Sequence, residues 1–263
     1  MITSICLAPH GDELLGGDRR FSLIREIMGR CGADAADVAS LLIVSPHGVR
    51  VSSNVSISRS ERMCSKNVCY AVERELAHAI YMSCESRDLP CVFVGFGTDS
   101  GEESVLPLDW GSEIPLRFFP QASRIVVAVP PRDVPWDVVM EFGEAAAEAL
   151  ESAGEPVGVV ISADQAHAHS PSGPYGYSPR AKEFDAAIIG MIRRGRLEDL
   201  LRIDRKLVED AKPDSPWQLL ILAGMLRTRP AVLREYAYQV AGYYGMLAAR
   251  YGLTAGFTPR SHI

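Results

Sequence analysis

Five short apolar runs punctuate the chain: "SICLA" at 4–8, "SLLIVS" at 40–45, "PCVFVGF" at 90–96, "RIVVAVP" at 124–130 and "PVGVVIS" at 156–162. Their valine and isoleucine content and turn-like flanks predict buried strands rather than short helices. Helical patterns lie between them. Residues 18–30 follow the first run, and residues 65–86 follow the second with an apolar stripe at three-to-four spacing. Residues 136–154 precede the last run, and the closing Gly154 suits a helix C-terminus. Strands alternating with helices predict an α/β fold with a largely parallel central sheet flanked by helices. Beyond about Pro179 the pattern predicts helices throughout, at 180–195, 197–211, 215–227 and 231–252. No Gly-, Ser- or Pro-rich linker interrupts the chain, so residues 1–263 are expected to form a single domain with a helical C-terminal third.

Composition narrows the function classes. With 47% hydrophobic and 23% charged residues, a chain of 263 can bury a sizeable core. A net charge of -6 argues against nucleic acid as a main partner, because phosphate binding needs a basic face. No apolar run reaches membrane-spanning length, and the N-terminus lacks a charged region followed by an apolar signal core. The expected compartment is therefore the cytoplasm, with no membrane partner. The six cysteines include no C-x-x-C pair, so a zinc knuckle or thioredoxin-type site is not expected. In a reducing compartment they read as buried or incidental thiols; Cys64 and Cys69 are close, but their spacing specifies nothing.

The histidines are less evenly placed. "APHG" ends the first predicted strand with His10, and "SPHG" ends the second with His47. A third strand runs into "ADQAHAH" and brings Asp164, His167 and His169 to the same rim. Ligands in open α/β sheets collect at the carboxyl ends of strands. One such histidine is usually a loop residue with a satisfied hydrogen bond. Four of the six on one rim point instead to a metal site, since imidazole is a common ligand for borderline metals. His78 lies inside a helical pattern and reads as structural, and His262 lies in the tail. Two histidines with a carboxylate would suit Fe(II) oxygen chemistry or, equally by ligand type, Zn(II) hydrolysis.

These segments resemble the class III extradiol ring-cleavage dioxygenases, the superfamily of the protocatechuate 4,5-dioxygenase catalytic subunit, which also contains Memo-type proteins. The likeness runs through most of the chain. It is carried by "APHG" and "SPHG", by "LPLDWGSEIPLRF" at 106–118, by "ISADQAHAHSPSGPYGYSPRAKEFD" at 161–185, and by "AKPDSPWQLLILAGML" and "GYYGML" further on.

The resemblance implies that His10 and His47 are iron ligands and that His167 is an acid/base histidine, with Asp164 orienting the loop or the ring. The family's third ligand is a Glu near a C-terminal helix. Here Asp214 is the nearest acid before that helix and Glu209 the fallback, while Asp214 would serve equally as an N-cap. Trp110 stands where many relatives carry a substrate-binding His; it could stack on an aromatic ring or pack beside Pro115 and Phe118. Tyr175 and Tyr177 are candidates for a substrate wall, or simply residues of a Gly/Pro loop, and His169 is a candidate beside His167. The implied activity is Fe(II)-dependent cleavage of a catechol-type ring by O2. The alternatives are a Zn(II)-dependent hydrolase and a non-catalytic Memo-like metal-binding protein. The implied partners are a small aromatic diol and O2. A homo-oligomer is the default assembly, and a small partner subunit covers the site in some relatives.

Overall fold

The computed structural model describes residues 1–38 and 40–254; His262 lies outside them. The chain forms β1 (Ile2–Ala8), α1 (Ser22–Asp34), β2 (Ser40–Val44), β3 (Val55–Ser58), β4 (Arg62–Cys64), β5 (Cys69–Val72), α2 (Arg74–Glu85), β6 (Cys91–Val94) and β7 (Val105–Pro107). It continues through α3 (Trp110–Leu116), β8 (Arg124–Val129), α4 (Trp136–Ser152), β9 (Val157–Ser162), α5 (Arg180–Arg194), α6 (Arg205–Ala211), α7 (Pro216–Thr228), β10 (Ala231–Ala241) and β11 (Tyr244–Leu253). All strands join one mixed sheet, whose main path runs β10-β11-β1-β9-β2-β8-β5-β4-β7. The central strands β1, β9, β2 and β8 are parallel, so their carboxyl ends share one rim.

Alternation along these strands builds a core on each face. Ile5 and Leu7 of β1, with Leu42 and Val44 of β2, pack toward α2, α4, α5 and α7. Cys6, Ala8, Leu41 and Ile43 point the other way, toward α1 and α3. The result is a three-layer α/β/α arrangement, as the alternation of elements predicts.

Three expectations need correction. Residues 231–252 are not a helix but the β10–β11 hairpin, which pairs antiparallel with β1. Its two-residue turn is Gly242–Tyr243, and Gly242 has φ +60°, a conformation glycine adopts without steric cost and one that suits a tight hairpin. Val232, Tyr236, Tyr238 and Val240 supply the strand propensity that the helical reading passed over. Secondly, the helix expected at 65–86 starts only at Arg74, because residues 69–72 are drawn into β5 beside β4 and β8. Thirdly, Cys64 and Cys69 are not thiols. A disulfide joins them across the β4–β5 pair, while Cys6, Cys31, Cys84 and Cys91 are free.

Helices α4 and α7 cross where each carries a glycine. A Cβ on Gly143 would run into the Ile221 carbonyl, and one on Gly224 into the Met140 carbonyl. The crossing matters because the turn preceding α7 carries Asp214. The variant Gly224→Ala should therefore lose about 1–3 kcal/mol of stability, the usual cost of overpacking. Gly154→Ala has open space around the new methyl and should shift stability by less than about 0.5 kcal/mol. Denaturant midpoints of the two variants, side by side, check this; equal midpoints would remove the crossing as a constraint.

Candidate metal centre

The register of the sheet levels the strand ends. Ala8 of β1 pairs with Ser162 of β9, and Val44 of β2 pairs with Ile161. Each strand then leaves the sheet within two or three residues of a polar side chain: His10, His47 and Asp164. The two histidines turn toward each other above β9, with Nε2 atoms 3.0 Å apart. Asp214 reaches the same point from the loop before α7. Its Oδ2 lies 3.3 Å from His10 Nε2 and 3.6 Å from His47 Nε2. Imidazole and carboxylate bonds to a borderline metal are about 2.0–2.1 Å, which at right angles sets donor atoms about 3 Å apart. His10, His47 and Asp214 thus form a group that could hold a metal ion.

Neighbouring groups fix each donor. The Ser162 hydroxyl donates to the Gly111 carbonyl, so its oxygen accepts from His10 Nδ1–H at 3.0 Å. That bond leaves the His10 Nε2 lone pair facing the centre, the usual outer support of a metal-bound imidazole. On the other side, Asp109 caps α3 by accepting from the Ser112 amide. Its Oδ1 also accepts from the Ser45 hydroxyl, whose oxygen in turn accepts from the His47 amide. Asp214 Oδ1 accepts from the Asp164 amide at 2.9 Å, while its Oδ2 is buried with no hydrogen-bond partner. A buried carboxylate oxygen without a partner is costly unless a cation meets it, so the donor set fits a metal. Asp214 does not cap α7: Ser215 is the residue preceding that helix. Glu209 is exposed on α6 and outside the group.

The electrostatics follow from crowding two imidazoles and two carboxylates out of water. Burial opposes a charge on His10, but the carboxylates of Asp164 and Asp214 outweigh it and raise its pKa to about 9. Burial and the charge on His10 together lower His47 to about 4. Desolvation, only partly offset by His10, lifts Asp164 to about 7. Burial works against ionised Asp214 as well, yet His10, His167 and His47 hold its pKa below the usual carboxylate value. His167 is lowered, chiefly by burial.

A cavity of about 380 Å³ opens above the centre. His10, His47, Asp164 and His167 line its floor, and Trp110 and Tyr175 stand among its walls. Trp110 stacks on His47 with ring centroids 4.1 Å apart. Asp164 acts on His10 rather than on His167, accepting from the His10 amide at 3.2 Å. Two candidates lie elsewhere. The His169 ring is buried against Asp185, 2.7 Å away, in a network that Tyr238 joins, and does not line the cavity. Tyr177 pairs with His169 in an isolated bridge and is exposed outside the cavity. Sequence reasoning missed Gly11, Asp12, Tyr243 and Tyr244 as lining residues. Tyr244 stacks on His167 at 5.6 Å and donates to Glu13. The signal for these tyrosines was the Gly242–Tyr243 turn, hidden by the helical reading.

The family model described as the catalytic LigB subunit of aromatic ring-opening dioxygenase matches residues 4–254. Protein CA_C1420 of Clostridium acetobutylicum is 22% identical over 237 residues, which is 84% of this chain and 50% of that protein, so the chain spans half its relative's length. The crystal structure of the uncharacterized protein JW3007 from Escherichia coli K12 covers 95% of this chain, all of its own chain being matched, with a TM-score of 0.64 and 15% identity. That likeness shows the fold.

Two outcomes are expected at the centre. His10→Ala, His47→Ala and Asp214→Asn should each lose metal content after anaerobic reconstitution, read by elemental analysis, while far-UV circular dichroism stays unchanged. A variant that keeps full occupancy would remove its residue from the donor set. The second concerns protons. Metal must displace the proton His10 holds, whereas His47 is already neutral at pH 7. Affinity should therefore rise about tenfold per pH unit between about 7, where Asp164 ionises, and about 9, where His10 does, and then level off. Calorimetry in buffers of different ionisation heat should show about one proton released per metal near pH 8; a flat profile would show that His10 holds no proton there.

Proposed function

The chain belongs to the family of LigB catalytic subunits of aromatic ring-opening dioxygenases, whose model spans nearly all of it, and from that premise we propose that it opens a catechol-type ring with O2. The observation that carries the reading is the convergence of two imidazole nitrogens on the buried, unpartnered oxygen of Asp214, beneath a cavity of single-ring size. Fe(II) is the metal this reading requires. Held by His10, His47 and Asp214, it would supply a redox-active Lewis acid with open positions for both substrates.

The chain's own residues would do the rest. Trp110 and Tyr175 flank the cavity and would hold a flat ring over the centre. His167 has its Nδ1 buried, which leaves Nε2 as the nitrogen available to the cavity. Its lowered pKa keeps it neutral near pH 7, so Nε2 can accept the proton of a substrate hydroxyl and return it later. Tyr244 stacks along the His167 ring and limits its rotation. Both oxygen atoms of O2 end in the ring-opened product, so no outside reductant is needed.

The test is oxygen uptake by the Fe(II)-reconstituted chain over a panel of catechols, with product absorbance followed in parallel. Uptake should occur with Fe(II) and not with redox-inert Zn(II). His167→Phe should keep its iron and its catechol affinity but lose turnover by roughly a hundred- to ten-thousandfold, the span of general acid–base catalysis. Hydrolytic activity with Zn(II) and no oxygen uptake would replace this reading with the hydrolase one. Full turnover by His167→Phe would remove that residue from proton transfer.

A further inference from the structure

Resting on the ring-cleavage reading, we propose that the cavity selects catechols whose ring substituent is positively charged, an amine-bearing side chain in particular, and discriminates against carboxylated catechols. With the two ring oxygens directed to the metal centre, a substituent on the far side of the ring must point to the cavity mouth. The charge and chemistry of that mouth therefore decide which catechols fit.

Neither Lys nor Arg lines the cavity. A substituent carboxylate at the mouth would have no Lys or Arg to meet. It would face Asp12 instead, and Asp164 deeper in. Asp12 opens the short 3-10 turn Asp12–Leu15, is exposed, and has no ion-pair or hydrogen-bond partner among the described residues. Its neighbour Glu13 is engaged by the Tyr244 hydroxyl, which keeps a second acid at the same edge. The rest of the rim is aromatic. Trp110 and Tyr175 are each 56% exposed, and Tyr243 stands 6.4 Å from Tyr175. Aromatic faces attract ammonium groups, whereas a carboxylate would meet only the phenol and indole donors at their edges, with no cation beside them. A free acid beside such a rim is the arrangement that recognises an organic cation.

Two arginines bear on the centre electrostatically, and both are occupied elsewhere. Arg50 donates to the Pro46 carbonyl, and the Arg132 guanidinium lies 3.5 Å over the Trp217 ring. Neither lines the cavity, so neither offers a hydrogen bond to a substituent inside it.

The test uses three catechols with the same ring and different side-chain charge: dopamine, 4-ethylcatechol and 3,4-dihydroxyphenylacetate. Each is titrated anaerobically into the Fe(II)-reconstituted chain by calorimetry, and oxygen uptake is then measured separately. Affinity should fall in that order, by roughly three- to tenfold per step, the size of an exposed charge pair with a cation–π contact. Asp12→Asn, nearly isosteric at an exposed turn, should lower the dopamine to 4-ethylcatechol ratio by roughly two- to threefold, leaving the share that cation–π contact supplies. Asp12→Lys should place 3,4-dihydroxyphenylacetate ahead of dopamine. The two readings separate cleanly. Dopamine-first binding without oxygen uptake would sustain the charge selectivity and overturn ring cleavage. Uptake with 3,4-dihydroxyphenylacetate preferred, or a ratio unmoved by Asp12→Asn, would overturn the selectivity and leave ring cleavage standing. Failure of all three to bind would overturn both.

Discussion

Two imidazole nitrogens 3.0 Å apart, faced by a buried carboxylate oxygen, cannot all present lone pairs to one another. A proton or a metal ion must sit among them. The surrounding structure serves that demand. Parallel pairing of β1, β9 and β2 sets both histidines at one height. Ser162, wedged against Gly111, fixes the ring of His10, and the Asp109–Ser45 pair fixes the loop of His47. The α4–α7 glycine crossing seats the helix that follows Asp214. The same demand shows in protonation, with the pKa of His10 raised to about 9 and that of His47 lowered to about 4.

The site divides into a mineral side and an organic side, with different origins in the chain. The donors come from strand ends and a helix start, elements held by two hydrophobic cores. The cavity walls come from connections: the 3-10 turn at Asp12, the start of α3 at Trp110, the loop at Tyr175 and the hairpin turn at Tyr243. Loops that vary on a fixed scaffold are the common way for one fold to take different substrates.

This division also explains what the sequence could reveal. His10 and His47 were legible because each ends a run of buried residues, and strand ends form a predictable rim. Asp214 was legible only as one of two roles, since an acid before a helix is equally a cap. The choice depended on the Asp164 amide, a contact fifty positions away in sequence. His169 shares the parity of His167, but Asp185 and Tyr238 draw it into the core, and no spacing rule contains those partners. The parallel core strands were readable from their apolar runs. The last hairpin was not, because alternating small and aromatic residues fit helical spacing as well, and Gly242 was the sole local sign of a turn. Short β4 lacks an apolar run of its own, and β5 lay inside the stretch that reads as a helix.

The position of that hairpin bears on how the protein folds. Strand β1, which ends in His10, has as its two neighbours β9 and β11, made from residues 157–162 and 244–253. The first strand is therefore completed by distant parts of the chain, and both of its edges stay open until they arrive. Such long-range pairing costs loop-closure entropy before it yields contacts, and it slows folding. An apolar strand with free edges is meanwhile open to pairing with other chains. The rim that gathers these side chains so closely is thus complete only once distant strands have paired, which couples the candidate metal centre to the closing of β11 over β1.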